Sequence, residues 1–443
     1  MLYPSVLSVL CGEFVFVIFV ADAILTLDVE KPAAGGRMLA RHNGQIVLVW
    51  GAIPGERVRA RIERAAKGLL YADTLEVLTA SSDRRDVVSD WRCGGNVLAH
   101  VNYPRQLLLK ADIIRDAFAR IARMPLADAP DVIGSPEQGY RMRARLHVRG
   151  TRIGFMREGS HELCEVGPTA QMLPETVAWI DSAQECLRRD RLTGLASIEI
   201  AENIPGSERA CHLELEPGTT ATPFAALARD GVTGVSAQVL DRRSVERLSG
   251  VPSVSDVLFV KPDDESSALR LRRDARAFFQ GNRFLLERLV RHVAALVPDG
   301  PIVDLYAGVG LFGLSLAAGG AVDVRVVEGD PASGRDLEEN ARPFAERVRV
   351  EHSSVEDFVR RRSSGHNATF IVDPPRTGIS NDALSGIVRL MPTRIVYVSC
   401  DVATLARDSR ALVNAGYSLE GLSGIDLFPN TAHVETICTF QHP

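Results

Sequence analysis

Three short stretches of this 443-residue chain carry residue types suited to covalent and acid–base chemistry. In RIVYVSCDVATL (394–405), the run at 395–398 has the composition of a buried strand. It delivers Ser399 and Cys400 to that strand's carboxyl end, with a helix expected a few residues later. A cysteine there is either a nucleophile or a small apolar core residue. In ATFIVDPPRTGIS a second apolar run ends at Asp373-Pro374-Pro375. Paired prolines stiffen the backbone beside a carboxylate, and a rigid strand-to-helix loop is the plainer reading of the same residues. Glu435, in HVETICTF near the end of the chain, is a candidate general base or a carboxylate paired with an arginine.

The elements that must position these residues read as alternating strands and helices. PIVDLYAGVGLFGLSL (301–316) is strand, glycine loop and helix: Asp304 ends the strand, and Gly308 and Gly310 let backbone approach a ligand closely. VDVRVVEGD follows as a second strand with Glu328 at its end, 20 residues after Gly308 (328 − 308). A carboxylate at that distance suits a ribose diol, whether of NAD or of S-adenosylmethionine. VRVEHSSVEDFV reads as a third strand and a loop, and the Asp373 run as a fourth strand. The alternation implies a doubly wound parallel sheet, whose ligands bind at the carboxyl edge of the strands. Gly313 completes a G-x-G-x-x-G pattern formally, but Asp-Pro-Pro tips the cofactor choice, because it resembles the substrate-facing motif of class I methyltransferases that act on nucleic-acid bases.

Upstream, the chain is long enough for two or three domains. A net charge of −5 does not advertise a nucleic-acid binder, although a local basic patch can do the binding. Seven cysteines without paired spacing suit a reducing cytosol rather than a disulfide scaffold. Residues 1–24 are apolar, but Glu13 and Asp22 interrupt them and no Lys or Arg precedes Lys31, so a packed extension is expected rather than a signal or membrane anchor. From 25 to 82 the chain reads as short strands turning at Gly35-Gly36, Asn43-Gly44 and Pro54-Gly55. In ERVRARIER, Arg57, Arg59 and Arg61 alternate with Val58, Ala60 and Ile62, giving either a solvated sheet face or a phosphate-contacting one. An amphipathic helix is expected over 104–123, with Leu108, Ile113, Ile114, Phe118 and Ile121 on its apolar face. A hairpin from Tyr140 carries Arg141, Arg143, Arg145, Arg149, Arg152 and Arg157, for phosphates or as an ordinary charged face. LRLRRDARAFFQGNRFLLERLV reads as a basic strand or loop, then a helix from about Asn282.

The stretch GGRMLARHNGQIVLVWGAIPGERVRARI resembles the TRAM domain, a small RNA-binding β-barrel. FFQGN, DLYAGVG, VVEGD, DPPRTG, YVSCDVATLARD and DLFPNTAHVETICTF occur in order across 278–440, and together they resemble the RNA 5-methyluridine methyltransferase family, which acts on tRNA or 23S ribosomal RNA. The resemblance implies an α/β architecture in four parts: an apolar extension (1–24), an OB-like barrel (25–82), a central α+β RNA-binding domain (83–265) and a class I methyltransferase domain with a doubly wound sheet (266–443). It further implies a cytoplasmic, monomeric enzyme with RNA as partner and no membrane attachment. Carried over by motif, Gln280, Tyr306, Glu328 and Asp373 would contact S-adenosylmethionine, Cys400 would be the nucleophile and Glu435 the general base. Uracil C5 is too weak a nucleophile to attack a methyl group unaided. A thiolate adding at C6 makes an enolate that can attack, and a base must then remove the C5 proton. Arg376 could hold the uracil or the acid, or make a salt bridge within the fold, and Phe278 could stack on a base or belong to the core.

Departures from the family pattern are specific. Cys93-Gly94-Gly95 looks like a fragment of an iron–sulfur loop, but Val87 and Asn96 stand where thiolates are wanted. Cys164 is the one later candidate, and the family's last ligand is expected near Gly167-Pro168, so no metal is expected. Asp401 and Val402 follow the cysteine where Asn-Pro is commoner, and a carboxylate beside Cys400 could raise the thiol pKa. Leu311 replaces a frequent Asn in the glycine loop. Two other readings stand beside uridine C5 methylation: methylation of cytosine or an exocyclic amine, and a non-catalytic RNA-binding relative.

Overall fold

The computed structural model describes residues 8–11, 14–17, 22–33, 35–87, 90–229, 231–261 and 264–443. Apart from a pair of antiparallel strands, Ser8–Cys11 and Phe14–Val17, the apolar extension up to residue 21 lies outside the described residues. Five strands then close a barrel: Ile24–Pro32, Met38–His42, Gln45–Trp50, Arg57–Ala66 and Leu69–Thr79. Asn43 and Gly44 take φ of 48° and 80°, the left-handed pair that a two-residue hairpin turn requires. The alternation in Arg57–Ala66 holds: Val58, Ala60 and Ile62 fill the barrel and the intervening arginines face out. Arg57 lies 3.8 Å from Asp28 and Arg59 2.9 Å from Glu76, so two of the three arginines meet acids of neighbouring strands.

The middle of the chain builds a seven-stranded sheet in the order Leu163–Cys164, Arg152–Met156, Arg143–Arg149, Leu195–Glu202, Arg209–Leu215, Val232–Val239 and Val245–Gly250. Helix Pro174–Arg189 lays Trp179, Ile180, Ala183 and Leu187 against its apolar face. The arginine hairpin forms, but Arg143, Arg145 and Arg157 are paired with Glu199, Glu214, and Asp90 plus Glu162. Arg149 and Arg152 have no acidic partner among the described residues.

The expectation of unpaired cysteines is corrected here: Cys93 and Cys164 form a disulfide, Cα to Cα 5.8 Å. They stand 71 residues apart, so local spacing could not reveal the pair. Strand pairing brings them together, because Cys164 lies opposite Phe155 and Cys93 bridges to Arg157. Among the described residues no group of three or more His, Cys, Asp and Glu could hold a metal ion, and no helix is long and apolar enough to cross a membrane.

The last sheet has eight strands, ordered Val348–His352, Val324–Glu328, Ile302–Leu305, Thr369–Val372, Arg394–Ser399, Glu435–Gln441, Ser418–Ile425 and Val132–Ile133. The first five are parallel; Glu435–Gln441 runs antiparallel between its two neighbours. The chain winds outward from Ile302–Leu305 in both directions, which makes a topological switch point beside it. Helix Leu286–Ala295 starts later than the expected Asn282, whose side chain instead accepts the backbone N–H of Phe284 and of Leu285. The part of VRVEHSSVEDFV read as a loop instead enters helix Val355–Arg361.

Helix Tyr103–Ala117 forms and runs on into one π-helical turn, Phe118–Ala122. Its buried face differs from the apolar pattern: Ile113, Ile114 and Phe118 are buried, Leu108 is 57% exposed, and Gln106 and Lys110 are wholly enclosed. It packs on the eight-stranded sheet, not on the seven-stranded one, with Ile114 and Phe118 in the same core as Leu405 and Tyr397.

The disulfide gives a stability prediction. Closing a loop of this length should contribute about 4 kcal/mol through the unfolded chain. Dithiothreitol should therefore lower the melting temperature, and thiol titration of denatured protein should find two fewer thiols before reduction than after it.

Candidate active site

The register of the eight-stranded sheet brings the sequence candidates to one edge. Asp373 is the first residue beyond Thr369–Val372, Glu328 ends Val324–Glu328, and Cys400 follows Arg394–Ser399 directly. Glu435 opens the antiparallel strand, where Ser399 pairs with Thr436, so Glu435 stands opposite Cys400 one step beyond the ladder. Residues 35 apart in sequence thus face each other at the carboxyl edge of the parallel strands (435 − 400).

The glycine loop has a distinct task for each glycine. A Cβ on Gly308 would meet nothing nearer than the Phe278 carbonyl oxygen at 3.9 Å, so its face is open to a ligand. Gly310 has φ of 100°, and a Cβ there would lie 2.4 Å from Leu314. At Gly313 a Cβ would lie 2.5 Å from Val326, so its absence lets helix Leu311–Ala318 sit close on the sheet. Leu311 itself is buried in the core. Glu328 is held against this loop: it accepts the Gly308 N–H at 2.7 Å and the Asp330 N–H at 2.6 Å. Tyr306 begins the loop in the left-handed region, φ 60°. Gln280 is buried and its Nε2 donates to Asp373 Oδ2 at 3.1 Å, tying the FFQGN stretch to the Asp-Pro-Pro turn. Phe278 beside it is 57% exposed, with the Arg143 guanidinium 5.8 Å from its ring centre, so it is a surface ring and not core.

The edge is rich in desolvated acids. Burial, then the charge of Asp373, holds Glu435 well above the usual carboxylate range, against the pull of Arg376. Both carboxylate oxygens of Glu435 are buried without a hydrogen-bond partner. Burial pushes Asp373 up to about 7, opposed by the Gln280 hydrogen bond. Burial also raises Asp304 to about 8, although one oxygen accepts the Gly313 N–H at 2.7 Å. The Cys400 thiol is pushed up to about 12 by burial and then by Glu435, while the charge of Arg376 pulls the other way.

Asp401 does not act as the sequence led us to expect. Its Oδ1 accepts the Thr404 N–H at 2.8 Å and so caps helix Val402–Asn414, a task Asn and Asp perform about equally. The charges acting on the thiol are those of Glu435, Arg376 and Asp373. Sequence reasoning missed Asp408, which holds the turn carrying Arg376. Its carboxylate accepts the Tyr397 hydroxyl at 2.8 Å, the Ile379 N–H at 3.0 Å and Arg407 Nε at 2.7 Å. Its one signal was its place at the end of YVSCDVATLARD.

These opposing charges make a signed prediction for alkylation of Cys400 by iodoacetamide at pH 9. Glu435→Gln removes a neighbour that raises the thiol pKa and should speed alkylation; Arg376→Ala removes one that lowers it and should slow it. Each unit of pKa is worth about tenfold in thiolate. Rates read by peptide mass spectrometry check both signs.

Comparison with known proteins agrees with this geometry. The family model described as tRNA (Uracil-5-)-methyltransferase matches residues 349–442, and the TRAM domain model matches residues 23–75. The chain is 30% identical over 444 aligned positions to the 23S rRNA (uracil(1939)-C(5))-methyltransferase RlmD of Salmonella choleraesuis (strain SC-B67), covering 94% of this chain and 96% of that protein. The crystal structure of a Pyrococcus abyssi tRNA (uracil-54, C5)-methyltransferase in complex with S-adenosyl-L-homocysteine superposes with a TM-score of 0.71 at 23% identity, covering 94% of this chain and all of that one. That likeness carries the fold: a barrel, a middle sheet and a methyltransferase sheet in one chain. With the relative matched along nearly its whole length, the chain belongs to the RNA uracil-C5 methyltransferase family.

Proposed function

We propose that this protein methylates C5 of a uridine in ribosomal RNA or tRNA, using S-adenosylmethionine, through a covalent bond between Cys400 and uracil C6. The observation that carries the reading is the register that sets Glu435, with both carboxylate oxygens free, opposite Cys400.

The residues present fit the cofactor. Asp373 and Glu328 stand on either side of the open face at Gly308, and the raised carboxyls at this edge favour a ligand carrying positive charge. Gln280, Tyr306, Glu328 and Asp373 would hold it, with Glu328 toward the ribose hydroxyls. When bound, the sulfonium supplies an electrophilic methyl group.

The protein's own residues supply the rest. Arg376, whose charge lowers the pKa of Cys400, stabilises the thiolate. The thiolate adds to C6, and the electron pair of the C5–C6 bond becomes an enolate that makes C5 nucleophilic. Once C5 carries the methyl group, Glu435 takes the C5 proton, the C5–C6 bond re-forms and the Cys400 sulfur leaves. A carboxylate whose pKa is raised by burial is the stronger proton acceptor for that step. The target uridine must be unpaired or flipped for its C5–C6 edge to reach the thiol. The barrel at 25–82 and the middle domain, with Arg61, Arg149 and Arg152 as charges without acidic partners among the described residues, would grip the surrounding RNA in the cytoplasm.

Cys400→Ala should lower product formation by about 10³-fold or more, the scale of losing a covalent nucleophile. Glu435→Gln should still methylate but then stall, leaving methylated RNA bound to the protein through denaturing electrophoresis. Undiminished turnover by Cys400→Ala would falsify the mechanism. Nucleoside mass spectrometry separates this reading from methylation of cytosine or an exocyclic amine. For the RNA grip, Arg152→Ala should weaken binding to all sequences about equally and reduce the slope of log affinity against log salt by about 1; an unchanged slope would remove Arg152 from the interface.

A further inference from the structure

The strand that begins with Glu435 is the second arm of a hairpin. Its first arm ends at Ile425, which pairs with Glu435, so the nine residues 426–434 form a loop closed by that pair. Any displacement of the loop is therefore applied first at Glu435.

Its own sheet holds this loop only at its start, where the Asp426 N–H donates to the Ile133 carbonyl at 2.8 Å, and Asn282 donates to the Leu427 carbonyl at 3.1 Å. Helix Tyr103–Ala117, over 300 residues earlier in sequence, reaches it with three side chains on successive turns of one face. Lys110 Nζ donates to Asp426 Oδ1 at 2.5 Å and to the Phe428 carbonyl at 3.0 Å, with both charged side chains fully buried. Tyr103 donates its hydroxyl to Asp426 Oδ2 at 3.0 Å. Gln106 makes a reciprocal pair with Asn430: its Nε2 donates to Asn430 Oδ1 at 2.8 Å, and its Oε1 accepts the Asn430 N–H at 2.9 Å. Asn430 takes φ of 64°, a left-handed conformation that this double contact fixes. Its carbonyl accepts the Leu98 N–H at 2.8 Å, and Arg85 donates to its side chain at 2.9 Å. The chain just after the barrel therefore joins the same clamp.

Such an investment of buried polar groups is costly for packing alone. Apolar side chains would pack the same helix face without the desolvation of an ion pair. What directional contacts add is a single position for the loop. We infer that Tyr103, Gln106 and Lys110 are positioning residues that set the loop 426–434, and through it hold the Glu435 carboxylate against Cys400 for removal of the C5 proton. The inference rests on the reading of Glu435 as the base. It assigns the helix a part in one step: nucleophilic addition and methyl transfer proceed at full rate without it, and proton removal slows.

The test uses full-length protein with three variants, Gln106→Ala, Asn430→Gly and Glu435→Gln. Asn430→Gly keeps the left-handed backbone while removing the side-chain contact, so it stays informative should Gln106→Ala fold poorly. Each variant is read for kcat, for cofactor affinity by calorimetry, and for methylated RNA retained covalently on the protein. Misplacing the base rather than removing it predicts a kcat reduced about 10–100-fold, less than the roughly 10²–10⁴ that the base itself contributes. It also predicts cofactor affinity unchanged within about twofold, and retained methylated RNA as in Glu435→Gln. A purely structural role would lower the melting temperature but leave the retained fraction at the wild-type level. Folded Gln106→Ala and Asn430→Gly with normal kcat and no retained RNA overturn the latch while the base assignment stands. Absence of retained RNA in Glu435→Gln overturns the base assignment, and the latch with it.

Discussion

A carboxylate buried with neither oxygen hydrogen-bonded is expensive, and a fold that contains one must hold it there by other means. Glu435 is 1% exposed and has no such partner. The cost is carried by its surroundings: a strand paired on both sides, and a hairpin loop fastened by a buried ion pair and an amide–amide pair. The same desolvation acts on Asp373, Asp304 and Cys400, each pushed upward by burial before any charge is counted. One buried sheet edge thus makes a strong base, a reluctant thiol and a seat for positive charge. Arg376 works against this trend at the thiol.

The basic stretches behave differently from this edge. Five of the nine arginines along the barrel strand and the hairpin are matched by acids elsewhere in the fold, as the net charge of −5 allows. Arginine periodicity alone therefore overstates the positive surface. What remains is a few unmatched guanidiniums and the exposed ring of Phe278 beside the cleft.

Local chemistry made much of the site legible in sequence. Glycines with distinct backbone and packing demands, an acid at the end of the second strand, and Asp-Pro-Pro before a turn fix their own positions relative to strand ends. Cys400 and Glu435 were legible as types, but their opposition depends on the antiparallel register of the final strand. Features made by distant partners were not legible. Cys93 and Cys164 meet only because two hairpin strands and a bridge converge. Gln106 and Lys110 look like solvent-facing residues of an amphipathic helix, and they are buried because Asn430 and Asp426 await them. Asp401 misled for the opposite reason: its charge was visible, whereas the capping geometry that turns it to the helix was not.

The central claim is that the protein forms a bond at uracil C6 and takes a proton from C5. The most direct measurement is release of tritium from RNA bearing [5-³H]uridine, incubated with the protein and unlabelled S-adenosylmethionine. One tritium should be released to water for each methyl group incorporated, with release lost when Glu435 is replaced by Gln. Methyl incorporation without tritium release would place the methyl group elsewhere and contradict this claim.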